Sequence, residues 1–232
     1  MSRFEEYYNK FLGVNKNEVT EHMVFESKFR DMPLNNKYFY PIIISKFNDS
    51  MICSCSNKFA NICKSNFEGT IASISNILEV MNINDNKYRL RKMRRYSIES
   101  PYVLYDTKAK VLTEDIIRKV NFQGIEDKEN YIRKKENILQ EKRQFFILND
   151  DNIAATAFIS EVYSSGCNIV VYTLPNYRKK GYGKEVVKVC INWCQQNNLL
   201  PIYLVEEENI NSIKLVESLG LELKSHEWII AE

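Results

Sequence analysis

TLPNYRKKGYGK, residues 173–184, decides the reading of this chain. A β-branched run, Ile169 to Thr173, precedes it and stops at Pro175, which has no N–H to give to a sheet ladder. Two glycines, Gly181 and Gly183, follow among basic residues. A helical pattern then starts, with Val186, Val187, Val189, Cys190, Ile191, Trp193 and Cys194. Strand, glycine-rich turn and helix in this order make a cradle for an anion. Glycine lets backbone N–H groups come close to a ligand, and the first helical turn points its unpaired N–H groups into the same space. The helix dipole adds about half a positive charge there. A pyrophosphate fits such a place. Arg178, Lys179, Lys180 and Lys184 raise the local potential. The opposing reading is a basic, solvated helix start with two turn glycines. The dinucleotide fingerprint fits less well, because its third glycine position is Val186, and a P-loop needs Ser or Thr where Glu185 stands.

The surroundings extend the pattern in both directions. Thr113 to Val120 reads as a helix with Thr113 as its N-cap, and Asp127 to Lys142 as a second helix. Gln144 to Leu148, Ile153 to Ser160 and Asn168 to Leu174 read as three strands, with turns at Asn149-Asp150-Asp151 and Ser164-Ser165-Gly166. Downstream, Pro201 to Val205 is a strand ending in Glu206, Glu207 and Glu208, then a helix from Asn209 and a last strand over Glu222 to Ile230.

Arg178-x-x-Gly181-x-Gly183 resembles the R/Q-x-x-G-x-G/A signature of the GNAT N-acetyltransferase superfamily. Asn209-Ile-Asn-Ser212, running on to Leu219-Gly220-Leu221, resembles the family's second block, with Leu221 in place of its usual Phe. The wording is similar to the glycine-acyltransferase-like branch and to bacterial GNAT proteins with an extra N-terminal domain. The resemblance covers residues 100–232 and implies an α/β (α+β) fold. Its mixed, mostly antiparallel sheet would split between the fourth and fifth strands, with flanking helices, beside a smaller N-terminal α/β domain. It further implies acetyl-CoA as co-substrate and no metal. Backbone groups of Tyr172, Thr173 and Leu174 would pair with the pantetheine. Arg178 and the turn Lys179, Lys180, Gly181, Tyr182, Gly183 and Lys184 would hold the pyrophosphate, and Asn209 and Ser212 would approach from the other side. An amine would attack the thioester, with Glu206 or Glu207 as candidate general base. The family's usual tyrosine after the helix leucine is Val216 here, and Val216→Tyr is expected not to reduce thioester turnover drastically and even to raise it. The acceptor is expected to be a small-molecule or peptide amine. The alternative is a non-catalytic acetyl-CoA sensor or partner-binding module on the same fold.

Residues 1–99 match no family on their own wording. Ser2 to Leu12 reads as an amphipathic helix, Tyr38 to Phe47 and Met51 to Cys55 as a hairpin around Asn48-Asp49-Ser50, and Asn57 to Asn66 and Thr70 to Met81 as helices. They are expected to form an N-terminal α/β domain that selects the acceptor or makes a homodimer, while a 100–232 fragment keeps CoA binding. Lys87 to Arg95, KYRLRKMRR, carries six basic residues in nine. Its two readings are a phosphate- or RNA-binding strip and a solvated face, of which the second is preferred. A net charge of +2 points away from nucleic acid and from a membrane surface. No apolar run is long enough for a membrane helix, and no signal peptide is evident. Six cysteines with two histidines fit reduced thiols in a cytoplasm better than a disulfide framework or a metal site.

Overall fold

Local sequence sets the helix ends. The structure, a computed structural model, describes residues 1–14, 22–33, 39–47, 50–83, 87–149 and 151–232. Helix α1 (Arg3–Leu12) is started by a capping box between Ser2 and Glu5 and stopped by Gly13 in the left-handed region, φ 74°. α3 (Ile71–Asn82), α4 (Glu114–Lys119) and α5 (Lys128–Gln140) start from the side-chain caps Thr70, Thr113 and Asp127. α2 (Ala60–Asn66), α6 (Tyr182–Gln196) and α7 (Ile210–Glu217) complete the described helices. The strands are β1 (His22–Glu26), β2 (Ile42–Phe47), β3 (Ser50–Cys55), β4 (Arg89–Ser97), β5 (Lys110–Val111), β6 (Gln144–Asn149), β7 (Asn152–Tyr163), β8 (Gly166–Thr173), β9 (Leu200–Glu206) and β10 (Glu222–Ala231). Tyr38, Asn48, Asp49 and Asp150 of the expected strand and turns lie outside the described residues. β1 and β5 have no counterpart in the sequence reading, since neither shows a local pattern of its own.

The chain forms two compact units, and they do not divide at residue 99 as the sequence suggests. Unit one takes residues 1–97, 204–213 and 222–232; unit two takes residues 98–203 and 214–221. The last strand therefore belongs with the first hundred residues. In unit one the strand order is β1-β3-β2-β10-β4, with β10 antiparallel to both β2 and β4. Alternation gives this sheet two faces. Ile42, Ile44, Cys53, Cys55, Trp228 and Ile230 join α2 and α3 in an apolar core.

The opposite face meets α1 through a buried polar network. Tyr8 donates to Ser45 (2.7 Å) or to a carboxylate oxygen of Glu227 (2.8 Å), and lies 3.0 Å from the Ser225 hydroxyl. Glu227 forms a bidentate ion pair with Arg95, both groups being almost wholly buried. Burial alone would pull the Arg95 pKa down, but Glu227 and the nearby Tyr7 hold it above its ordinary value.

The basic run is thus only in part a solvated face: Lys87, Arg89 and Lys92 are exposed, Arg91 and Arg94 half-buried and Arg95 buried. Among its six cations, Lys87, Arg91, Arg94 and Arg95 are ion-paired to Glu232, Glu206, Glu207 and Glu227. The partners lie more than a hundred residues downstream, beyond the reach of a local pattern.

Unit two has the order β9-β8-β7-β6-β5. β6, β7 and β8 form the expected antiparallel meander, and β9 runs parallel to β8. The sheets are mixed and mostly antiparallel, as the resemblance implies. Leu112, Ile117, Phe122, Ile132, Leu139, Phe146 and Ile153 make the core under α4 and α5. Cys167, Ile169, Cys190, Ile191 and Cys194 are also buried. All six cysteines are free and buried, and no group of three metal-ligating residues occurs among the described residues. No described helix is long and apolar enough to cross a membrane.

The β10 insertion and the polar network beneath α1 lead to three expected outcomes. A fragment of residues 100–232 lacks both neighbours of β10 and will not unfold cooperatively; a sigmoidal urea transition with dispersed amide resonances would contradict this. Glu227→Gln will cost about 3–5 kcal/mol by leaving Arg95 buried without its charge partner, and Tyr8→Phe about 1–3 kcal/mol through lost buried hydrogen bonds, both read by chemical denaturation.

Candidate active site

The site on unit two starts where a ladder stops. β8 and β9 pair at Gly166↔Leu200, Cys167↔Pro201 and Asn168↔Ile202, and the ladder goes no further along β8. Among the described strands, Ile169 to Thr173 are then paired to β7 alone. A bulge in β7 between Ile159 and Glu161 sits opposite this point and turns the strand. The result is an open strand edge with an exposed Tyr172 and a partly buried Thr173. Leu174 is different, because its N–H donates to the Ala154 carbonyl and its carbonyl accepts from Tyr177. Its side chain is buried. The expected free edge therefore ends one residue earlier, at Thr173.

The turn after β8 is built from left-handed residues. Lys179 has φ 62° and Gly181 φ 83°. Left-handed residues within a turn can direct successive N–H groups to one side and form an anion-binding concavity. Gly181 is the N-cap of α6 and has no side chain to cap it. The first intrahelical bond runs from Glu185 N–H to Gly181. Tyr182, Gly183 and Lys184 thus carry N–H groups without a partner inside the helix.

Gly183 is buried, and the reason for glycine there is steric. A Cβ would stand 2.9 Å from the Thr173 hydroxyl and 3.2 Å from a Leu215 methyl. Around Gly181 a Cβ would meet nothing within 4 Å, so that glycine serves conformation alone.

The cations are partly committed. Arg178 folds back to donate to the Thr173 carbonyl at 3.3 Å. Lys184 reaches the Ser218 carbonyl at 3.1 Å, at the end of α7. Lys180 sits over the Tyr177 ring at 5.3 Å. Lys179 and Lys180 are exposed. Tyr182 is fixed by a 2.8 Å bond to Asn149, a partner that no sequence signal indicated.

The remaining expected residues lie on unit one. Asn209 caps α7, its side-chain oxygen accepting from Ser212 N–H at 3.2 Å, so the N-x-x-S spacing is that of a helix start. Glu206 accepts from Arg91, and Glu207 from Arg94. The hydrogen bond from Arg94 holds the Glu207 carboxyl below its ordinary range, which weakens it as a base. Val216, expected to tolerate tyrosine, is fully buried in unit two, so a phenol there would overpack the core.

A family model described as "GNAT acetyltransferase" matches residues 6–230, so the family pattern extends through the first hundred residues as well. No curated protein sequence matches. Among solved structures, the chain is similar to a GCN5-related N-acetyltransferase-like protein from Streptococcus suis, at 17% identity and a TM-score of 0.51, over 83% of this chain and 84% of that one. A GNAT-family acetyltransferase from Colwellia psychrerythraea gives 11% and 0.52, over 71% and 62%. A putative GNAT acetyltransferase from Novosphingobium aromaticivorans gives 15% and 0.50, over 63% and 68%. At such identities the likeness shows the fold.

The two glycines should separate in a denaturation series. Gly181→Ala will cost about 1 kcal/mol from the left-handed backbone alone, and Gly183→Val about 1–3 kcal/mol from collision with Thr173 and Leu215. Val216→Tyr will lose a similar amount by overpacking. Equal, negligible effects at all three would show that the turn is not packed as described.

Proposed function

Since the chain belongs to the GNAT acetyltransferase family, we propose that it transfers an acetyl or other short acyl group from acetyl-CoA to a primary amine. The observation that carries this reading is the uncapped start of α6 set directly after a strand with an open edge. The N–H groups of Lys179 to Lys184 would hold the pyrophosphate, with the helix dipole and the exposed Lys179 and Lys180 adding positive potential. The edge of β8 up to Thr173 would accept the pantetheine amides as a strand accepts a neighbour.

The amine nitrogen then attacks the thioester carbon, its lone pair forming the new bond while the carbonyl oxygen takes on negative charge. A backbone N–H of β8 would stabilise that oxygen. As the oxygen re-forms its double bond, the C–S bond breaks and CoA leaves as a thiolate. A thiol pKa of about 8.5 makes it a tolerable leaving group near neutral pH without a dedicated acid. The amine proton passes to a base, for which Glu206 and Glu207 are the candidates, and each would first have to leave its arginine. Most of the rate would come from positioning. A small-molecule or peptide amine in the cytoplasm is the proposed acceptor.

A second reading, CoA binding without turnover, is favoured by one observation: both candidate bases are held in ion pairs.

Calorimetry with CoA tests the first step. Wild type will bind, and Gly181→Asp and Gly183→Asp will lose binding at least a hundredfold, the first by setting a carboxylate in the open space beside the turn where the pyrophosphate would lie, the second by pushing the turn away from Thr173 and Leu215. Unchanged affinity in both variants would refute the assignment. Thioester turnover against an amine panel separates the two readings: release of free thiol only when an amine is present supports transfer, and tight binding with no release across the panel supports the sensor.

A further inference from the structure

Unit one buries more positive than negative charge under α1. Arg30 is 1% exposed and Arg95 3%, while Glu227, at 1%, is the one buried carboxylate among the described residues. Both guanidinium groups stand 4.6 Å from the centre of the Phe11 ring, so the two cations share one aromatic side chain. Glu227 is spent on Arg95, which it grips with both oxygens, and on Tyr8. Arg30 gives one N–H to the Phe11 carbonyl at 3.2 Å, a sensible contact for a cation at a helix C-terminus. Its Nε and Nη1 are buried and have no hydrogen-bond partner among the described residues. An unpaired buried cation is among the costliest arrangements a fold can hold, and two unmet donors add to that cost.

We propose that unit one holds a small monovalent inorganic anion of the halide class against Arg30. One negative charge brings the buried group to neutrality: two guanidiniums against Glu227 and the anion. An anion of this class is small enough to be enclosed on folding. A spherical anion accepts along any one direction, which suits Arg30, because Nε and Nη1 lie on different edges of the guanidinium and the anion would meet one of the two. The neighbourhood agrees. Burial first, and then the charge of Arg95, hold the Arg30 pKa down to about 10, with Glu227 opposing them only in part, so the group stays protonated near neutral pH. The assignment is independent of the acyl-transfer reading, since every residue named belongs to unit one.

Bromide is the probe, used on the full chain. In bromide-grown crystals an anomalous peak is expected within hydrogen-bond reach of Arg30 Nε or Nη1. In solution at constant ionic strength, replacing gluconate by chloride or bromide should raise the melting temperature and then saturate. The rise should be roughly 5 °C at a hundredfold excess over Kd. Arg30→Met should abolish the saturable part. If that variant does not fold, the crystallographic arm on wild type decides alone. A bromide data set with no peak at Arg30 overturns the proposal, as does density there for water or for a carboxylate of this same chain. An identical chloride response in wild type and Arg30→Met also overturns it.

Discussion

The buried pair of Arg95 and Glu227 is the constraint on which unit one rests. It ties the fourth strand to the last, and through Tyr8 it ties both to the first helix. A pair so deeply buried gains little over a well-packed apolar substitute. Its contribution is to specificity of register. Shifting β10 by one residue against β4 would put Glu227 on the apolar side, among α2 and α3, and bring Trp228 or His226 to Arg95. The polar side then fixes where α1 can sit, because Tyr8 finds Ser45, Ser225 and Glu227 together at one place only.

Unit two answers to a different constraint, the early end of the β8–β9 ladder. An open strand edge is normally a liability. Here it is followed within a few residues by an uncapped helix start, a second set of unmet donors. Two neighbouring segments thus lack part of their ordinary hydrogen-bond partners, which is the feature the proposed CoA site rests on. The packing behind them is dense: Gly183 lies against Thr173 and Leu215, so the turn cannot relax into the space a bulkier residue would demand.

What could be read from the sequence was what is local. Caps at Thr113 and Asp127, the meander from Gln144 to Thr173 and the strand, turn and helix around Gly181 all appear where their residues announce them. The turn proposed to hold an anion was legible as a turn and helix start for the same reason, since it is built from a few consecutive residues. Strand partnership was not. Nothing in Glu222 to Ala231 says that it lies between Ile42–Phe47 and Arg89–Ser97, because alternation marks a face and not a neighbour. The ion pairs of the basic run were hidden for that reason; their carboxylates come from the end of β9 and the residue after it, from β10 and from Glu232. Val216 is a different case. A family position suggests a role, while the burial of this particular side chain depends on packing that no motif encodes. Asn209 and Ser212 show the converse, a signature pair whose visible work is to start a helix.

The placement of β10 also bears on how the protein is made. A ribosome releases the first hundred residues long before Glu222 to Ala231 exist as chain. Until then Ile42 to Ile44 and the inner edge of β4 have no neighbour between them, and Arg95 has no counter-charge. The nascent unit must wait with an apolar sheet half-assembled, a state that pairs readily with other chains and that chaperones bind. Completion requires a contact between the two ends of the chain, a slow closure for a fold of this length.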